Sequence, residues 1–416
     1  REREIEKSVT DLSRSPIRSH LFSSFFLSSL FQPPTNQQTI PCSFLYDGPG
    51  STLYDAITDL EAYYPYDAEL KLLESQAAAI ADAIPQNAVL VELGCGSATK
   101  TPRLLSAVAA SRKKEGKGKV RYAGIDVSAD FLENARANVT ASGDVDDSNV
   151  ETFCNRYLEG AAAARAAHEG EDLCFLWLGS SVGNLDSGSA AAFVRELFEA
   201  ASSAKIEGEA ASASAAAKSE NGGEENGQGS KRGKTQLLLC TDLWKDEQRL
   251  RDAYDDDRGV TAAFMRNGLR HALACVEVFD ENEKKSDGNG KTSTSSTTTA
   301  LRVAAAAGAA PADWRYEVVV NPAEQQVEMY LVCPAAFELR IPGKEKKEEA
   351  KDDDGEKTET EETPASVVLR FEKGERILME VSRKYTLERI EALAASSGVR
   401  LAGRWVTADY GIQLLE

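Results

Sequence analysis

The residues best placed to do chemistry begin at Val91-Glu92-Leu93-Gly94-Cys95-Gly96-Ser97. A short apolar run, Ala88–Leu93, ends in a carboxylate and turns through Gly-x-Gly before a helix pattern at Lys100–Ala110. Glycines reach positive φ and let a ligand approach the backbone closely. The start of the helix leaves N–H groups unpaired. The next apolar run, Val120–Val127, carries Asp126 near its end, where a carboxylate can accept from both hydroxyls of a ribose. The 32 residues from Gly94 to Asp126 exceed the ~20 of dinucleotide folds, and the basic insert Arg112–Lys119 fills the excess. The third glycine of the dinucleotide fingerprint is absent, since Ser97-Ala98-Thr99 follows. That departure favours S-adenosylmethionine over NAD. A purely structural turn would also show Gly-x-Gly, so the loop alone leaves both readings open.

Other chemistries are poorly served. The three histidines, His20, His168 and His271, lie in no HExxH and no Cys/His zinc spacing, so no protein-built metal site is expected. The seven cysteines form no CxxC and mostly sit in apolar runs, which reads as reduced, buried thiols in a cytoplasmic protein. The formal net charge of −19 argues against nucleic acid and against an anionic membrane surface. No apolar run approaches the ~20 residues of a spanning helix. Residues 12–46 lack Asp and Glu, carry Arg14 and Arg18 and are rich in serine. That stretch resembles a transit peptide or signal core, or equally an amphipathic segment of a truncated chain.

The elements that would position the glycine loop alternate. After the helix pattern at Lys100–Ala110 come strand Val120–Val127, helix Ala129–Val139, strand Asp172–Leu178, helix Ala190–Ala200 and strand Gln236–Leu243. Continuous apolar strands alternating with helices predict an α/β fold with a parallel sheet covered on both faces. Two flanking stretches break the rhythm. One runs to about Pro65. The other covers roughly 244–383, with a helical run at Lys245–Ala253 and strands at Trp314–Val320, Gln326–Val332 and Val367–Phe371. A last helix at Leu387–Ser396 and strands near 400–415 return to the first domain. Residues 201–234, 281–310 and 343–365 bury too little apolar surface to offset chain entropy and are expected to be disordered insertions. The expected organisation is 1–45 as a poorly defined segment, 46–65 with 243–383 as one domain, and 66–242 with 384–416 as the sheet domain.

Further blocks match one family in order: Tyr46-Asp47-Gly48-Pro49-Gly50-Ser51, Ala56–Pro65, VELGCGSATKT (91–101), LGSSVGNL (178–185), TDLWKD (241–246), AYDDDRGVTAAF (253–264), VEM (327–329) and MEVSRKY (379–385). Together they resemble the histidine Nα-methyltransferases of ergothioneine biosynthesis over about 46–416, apart from the three insertions. The resemblance implies a class I methyltransferase, Rossmann-like doubly wound sheet with a second α+β substrate-binding domain. It implies S-adenosyl-L-methionine as cofactor, with Gly94, Gly96, Lys100, Asp126, Arg156, Tyr157 and Gly179 at cofactor positions. It places Tyr63, Asn184, Tyr254, Met329, Glu380 and Ser382 around L-histidine, and Tyr46 and Ser181 near the reacting amine. The family's Asp-Phe-like pair beside the adenine falls on Arg156-Tyr157. Tyr157 can replace the aromatic, but Arg156 cannot accept a hydrogen bond. Either a backbone carbonyl takes that role or the equivalent residue lies one or two positions away.

These residue types suit the implied chemistry. Methyl transfer from a sulfonium is an in-line displacement that needs alignment and a neutral amine, with no metal. Tyr46 and Ser181 can orient the amine, while Asn184 and Tyr254 can donate to a carboxylate. Glu380 and Ser382, two apart on a strand, share a face and can meet both ring nitrogens of an imidazole. Each also has an ordinary role: Asn184 after Gly183 as a turn, Met329 as core, Tyr63 as a core aromatic, Glu380 on an exposed edge. The expected product is hercynine, from three transfers, in a monomer with a small-molecule substrate. The alternatives are an N-methyltransferase acting on another aromatic amine, such as a tryptophan derivative, and a catalytically silent scaffold.

Overall fold

The computed structural model describes residues 38–202, 233–280, 285–286, 292–293, 296–341 and 367–416. These form two compact units: one of Tyr64–Asp246, Glu324–Gln326 and Ser382–Glu416, the other of the remaining segments.

The first unit is built on a seven-stranded sheet. Strands β1 (Val89–Leu93), β2 (Tyr122–Asp126), β3 (Val150–Cys154), β4 (Leu173–Trp177) and β5 (Thr235–Asp242) are followed by a C-terminal hairpin, Leu401–Val406 and Tyr410–Leu415. The sheet order is hairpin, β5, β4, β1, β2, β3. All pairs among β1–β5 are parallel, with Leu90 opposite Tyr122 and Val89 opposite Leu173. Tyr410–Leu415 closes the sheet antiparallel to β5. The chain leaves β1 for β2 and β3, then returns to β4 on the other side, so the topological switch point lies between β1 and β4. Ligands of such sheets sit at the carboxyl ends beside that point.

Alternate strand residues feed two cores. Leu90, Cys174, Leu176, Leu238 and Cys240 pack with Leu72, Leu104 and Leu132 from the helices Tyr64–Ala83, Thr101–Lys114 and Ala129–Thr140. Val89, Val91, Phe175 and Trp177 pack with Ala161, Val194 and Leu393 from Tyr157–Ala167, Ser187–Ser202 and Leu387–Ser397 on the opposite face. Burial on both sides explains why these strands read as continuous apolar runs. All seven cysteines are free thiols. Cys154 and Cys275 are exposed, against the expectation of buried thiols, while burial raises Cys174 and Cys240 to about 12.

The second unit contains the helices Gly48–Thr58 and Val260–Ala274, the short helix Glu247–Tyr254, and a three-stranded sheet ordered Arg315–Asn321, Gln326–Val332, Arg376–Arg383. The strand Phe337–Ile341 pairs with Val367–Phe371. Phe337 and Phe371 stack at 4.5 Å and both meet the fully buried Trp314 edge-on.

Three expectations change. Residues 38–45 belong to the fold rather than to a poorly defined segment: Thr39 bridges to Leu378, and Ile40, Phe44 and Leu45 are buried. Within 281–310, Ser296–Thr299 pairs with Glu277–Asp280, and Ala300–Ala306 is a helix with Ala300 and Ala304 fully buried. Alanine has the highest helix propensity and gives up no side-chain entropy, so an alanine tract can pack as a thin helix. The remainder of that insertion, with 203–232 and 342–366, lies outside the described residues, as do 1–37 of the N-terminal segment. Unit boundaries fall at Tyr63/Tyr64, Asp246/Glu247 and Val381/Ser382, rather than at 65/66, 242/243 and 383/384. Tyr64, Lys245 and Lys384 join the sheet unit because all three bond to Asp242 at the end of β5.

Candidate active site

The glycine turn after β1 is fixed from both sides. Gly94 takes φ +65° and Gly96 φ +49°. A Cβ on Gly94 would strike the Tyr157 hydroxyl and lie 2.9 Å from its ring carbon Cζ, whereas one on Gly96 would meet nothing within 4 Å. The amides of Gly94 and Cys95 donate to the Ile125 carbonyl at 2.8 and 3.0 Å, stitching the turn to β2. Asp126 accepts from the Gly96 N–H through Oδ2 and from the Ser128 N–H through Oδ1, both at 3.0 Å. Burial raises its pKa. Below the turn, Glu92 is buried and accepts from the hydroxyls of Thr101 (2.8 Å) and Tyr122 (2.6 Å). Burial pushes Glu92 up to about 7.

Lys100 does not stand alone. Its ammonium pairs with the fully buried Glu69 of Tyr64–Ala83, and burial lowers the lysine to about 8. The Glu69 carboxylate also accepts from the Gly179 N–H (2.6 Å) and the Tyr410 hydroxyl (3.1 Å). One side chain therefore ties the β1 turn, the loop after β4 and the C-terminal hairpin together. Residues 66–87 carry no expected element, so nothing in the pattern marked Glu69.

The loop after β4 is sharply folded, with Gly179 at φ +77° and Ser180 at φ +56°. Ser180 Oγ accepts from the Asp242 N–H at 2.8 Å. Ser181 Oγ accepts from Trp177 Nε1 at 2.7 Å, which leaves the serine its own proton to donate. Asn184 ends the short 3-10 turn Ser181–Asn184 and is half-buried. The Tyr157 ring meets Trp177 and Phe193 edge-on. Arg156 sits exposed at the N-cap of Tyr157–Ala167 without a capping bond. Its neighbour Asn155 is half-buried, with its backbone N–H on the Asp126 carbonyl at 3.1 Å. Of the expected cofactor residues, Gly94, Gly96, Lys100, Asp126, Tyr157 and Gly179 are linked through these contacts at the ends of β1, β2 and β4; Arg156 is not.

At the end of β5 lies a buried charge cluster. Asp242, 1% exposed, accepts from the Tyr64 hydroxyl (2.7 Å) and from the ammonium groups of Lys384 (2.7 Å) and Lys245. Lys245 lies 4.0 Å from the Tyr64 ring centroid. Burial of Asp242 opposes ionisation, but the two lysines outweigh it and hold the carboxyl below its usual range. Lys384 also donates to Ser382 Oγ at 2.9 Å.

In the other unit the expected substrate residues cluster around phenols. The rings of Tyr63 and Tyr254 meet edge-on at 5.8 Å, and Tyr46 packs against Tyr54 and Phe264 at 5.7 and 5.5 Å. Burial, then the phenols of Tyr54, Tyr254 and Tyr46, then the Glu380 carboxylate hold Tyr63 well above the usual tyrosine range. Tyr46, Tyr63, Tyr254 and Glu380 thus share one electrostatic neighbourhood. Asp47, adjacent to Tyr46, caps Gly48–Thr58 through the Gly50 N–H at 2.8 Å and accepts from Asn267 at 2.6 Å. Met329 is buried in the central strand of the three-stranded sheet.

The sequence profile of the histidine-specific, S-adenosylmethionine-dependent methyltransferases matches residues 24–207 and 224–416. The chain belongs to this family. It is 28% identical over 379 residues to the histidine N-alpha-methyltransferase of Mycolicibacterium smegmatis, covering 91% of this chain and 90% of that one. It is 28% identical over 265 residues to ergothioneine biosynthesis protein 1 of Neurospora crassa, covering 64% of this chain but only 26% of that protein. It is also 24% identical over 375 residues to the N-methyltransferase benX of Aspergillus terreus, with coverage of 88% and 81%.

The protein is therefore an S-adenosylmethionine-dependent N-methyltransferase, and its sheet is the class I fold expected of one. The residues at the switch point fit the cofactor. The turn at Gly96 leaves open space, and the Asp126 carboxylate, fixed by the Gly96 and Ser128 N–H groups, has lone pairs left that can accept from ribose hydroxyls. No helix among the described residues is long and apolar enough to cross a membrane, and none of their His, Cys, Asp and Glu groups could hold a metal ion.

Proposed function

We propose that this protein methylates the α-amino nitrogen of L-histidine, three times, to give hercynine. The observation that carries the reading is the convergence of Tyr46, Tyr63, Tyr254 and Glu380, brought from three separate chain segments into one phenol-rich, carboxylate-bearing neighbourhood. The histidine-specific family and relatives named for histidine methylation and ergothioneine biosynthesis support it.

The bound cofactor supplies a methyl group on a positively charged sulfur. The chain's residues then have to hold a neutral amine in line with that carbon. Bound there, the cofactor would supply the methyl carbon for the new N–C bond and would take up the C–S bonding pair as a neutral thioether. The first two transfers each release a proton from nitrogen; the third leaves a quaternary ammonium with none to release. Burial holds the Tyr63 phenol above its usual pKa, so it remains a neutral donor and acceptor beside the substrate near neutrality, while Tyr46 and Ser181 orient the amine by hydrogen bonds. Asn184 and Tyr254 donate to the carboxylate, Glu380 accepts from a ring N–H, and Met329 walls the ring. On the cofactor, Asp126 takes the ribose, Lys100 with the Gly179 loop takes the methionyl end, and the Asn155 amide oxygen is the acceptor that Arg156 lacks.

Purified protein is incubated with S-adenosylmethionine and each of histidine, tryptophan, tyrosine and phenylalanine, and products are read by mass. Three added methyl groups on histidine alone is the expected result. Methylation of another amine overturns the substrate assignment. Absence of product with every amine, from folded protein that binds cofactor, overturns the reading altogether.

A further inference from the structure

We propose that Glu69 is a positioning residue of the cofactor site, whose buried charge makes the methionyl end select a zwitterionic head. This rests on the assignment of Lys100 and the Gly179 loop to that end. Glu69, Lys100, Gly179 and Tyr410 all belong to the sheet unit. The Glu69 carboxylate is fully buried, and both its oxygens are engaged. Oε2 pairs with the Lys100 ammonium, while Oε1 accepts from the Gly179 N–H at 2.6 Å and from the Tyr410 hydroxyl at 3.1 Å. Glu69 therefore acts on a ligand through Lys100 and Gly179 rather than by touching it.

The backbone donors of the β1 turn are already taken. The N–H groups of Gly94 and Cys95 go to the Ile125 carbonyl, that of Gly96 to Asp126 and that of Ala98 to the Cys95 carbonyl. A methionyl carboxylate arriving there meets the Lys100 ammonium, whose side chain is 15% exposed and lies 5.0 Å from the Tyr66 ring centroid. An ammonium carries three protons, so one can serve Glu69 and another the ligand. Burial lowers Lys100 to about 8, which leaves it charged at pH 7, and the Cys240 thiol that acts on it is pushed up to about 12 and is neutral there. At Gly179 the N–H points to Glu69, so this residue offers a ligand its carbonyl, an acceptor suited to an ammonium. One carboxylate thus has two effects: it balances the lysine charge, and it fixes which side of Gly179 can meet the head. A head with one carboxylate and one ammonium matches both. A head with the carboxylate alone faces the Glu69 charge with nothing to offset it.

The test is calorimetric binding at pH 7 of S-adenosylhomocysteine, the demethylated cofactor, and of two analogues, one lacking its α-amino group and one lacking its carboxyl group. Wild-type protein is expected to prefer the intact head over both. Glu69→Gln removes the anion that favours the ammonium, and should cut the preference over the deaminated analogue at least about tenfold, the scale of one unit charge in a partly buried site. A merely structural Glu69 would weaken all three ligands alike. Lys100→Met keeps Glu69 with its Gly179 and Tyr410 bonds, and carries the test should Glu69→Gln not fold. It should lose the preference over the decarboxylated analogue and keep the preference over the deaminated one. A preference that Glu69→Gln leaves unchanged, or loss of both preferences in Lys100→Met, overturns the proposal alone. Wild-type protein that binds all three ligands alike, or Lys100→Met that loses neither preference, overturns the assignment of the methionyl end, and the proposal with it.

Discussion

Glu92→Gln isolates one buried carboxyl beneath the cofactor turn. Glu92 is 3% exposed, and burial pushes it from 4.5 up to about 7 against the pull of its bonds from Tyr122 and Thr101. A carboxyl whose pKa is raised on folding binds its proton more tightly in the folded state. Its contribution therefore favours folding at low pH and is lost as pH rises from 4.5 through about 7. Each unit of difference is about 1.4 kcal/mol, so the ionised group costs about 3 kcal/mol above pH 7 and roughly 1.4 kcal/mol at pH 5.5. Glutamine keeps an acceptor for one of the two hydroxyls and never ionises. The variant should lie within about 1 kcal/mol of wild type at pH 5.5. By pH 8 the difference should shift about 2 kcal/mol in the variant's favour. Urea unfolding followed by tryptophan fluorescence reads this, since Trp177, Trp244 and Trp405 all lie in the sheet unit. A difference that does not change with pH, or one that moves against the variant, refutes a buried ionised Glu92.

Asp126→Ala should weaken cofactor binding at least tenfold by calorimetry, because the carboxylate both pins the Gly96 amide and offers its oxygens outward. Gly94→Ala should abolish detectable binding: it combines φ +65° with a collision at Tyr157, and a thermal melt distinguishes local loss from unfolding. Glu69→Gln should strand the buried Lys100 charge, a loss of about 3–5 kcal/mol. Its melting temperature should recover as pH is raised past about 8 and the lysine becomes neutral, in a pH series read by differential scanning fluorimetry. Ala304→Asp should lower the melting temperature by several degrees if the tract at 300–306 packs as described, and leave it unchanged if it does not.

The α/β fold was legible in the sequence because its strands are buried on both faces. AVLVEL, VRYAGIDV, DLCFLWL and QLLLCTDL send successive apolar side chains to both faces, a pattern unlike the alternation of a half-exposed strand. The glycine turn was legible for a similarly local reason: positive φ and a close aromatic neighbour leave glycine little substitute. The ordered motif blocks carried the family. The role of a polar residue in a helix or at a strand end was not legible, because it depends on what arrives from far along the chain. Glu69 looks like any surface glutamate until Lys100, Gly179 and Tyr410 close over it, the last 341 residues away. TDLWKD and MEVSRKY could be read as motifs, but only tertiary structure places Lys245, Lys384 and Tyr64 on one carboxylate. The alanine tract at 300–306 misled because composition reports how much surface a segment can bury, not whether a neighbour is shaped to receive a thin helix. Local sequence determined the elements and the cofactor turn. The pairing of buried charges, and hence which hydroxyls donate and which accept, was decided by the fold, since hydrogen-bond direction depends on contacts between residues far apart in the chain.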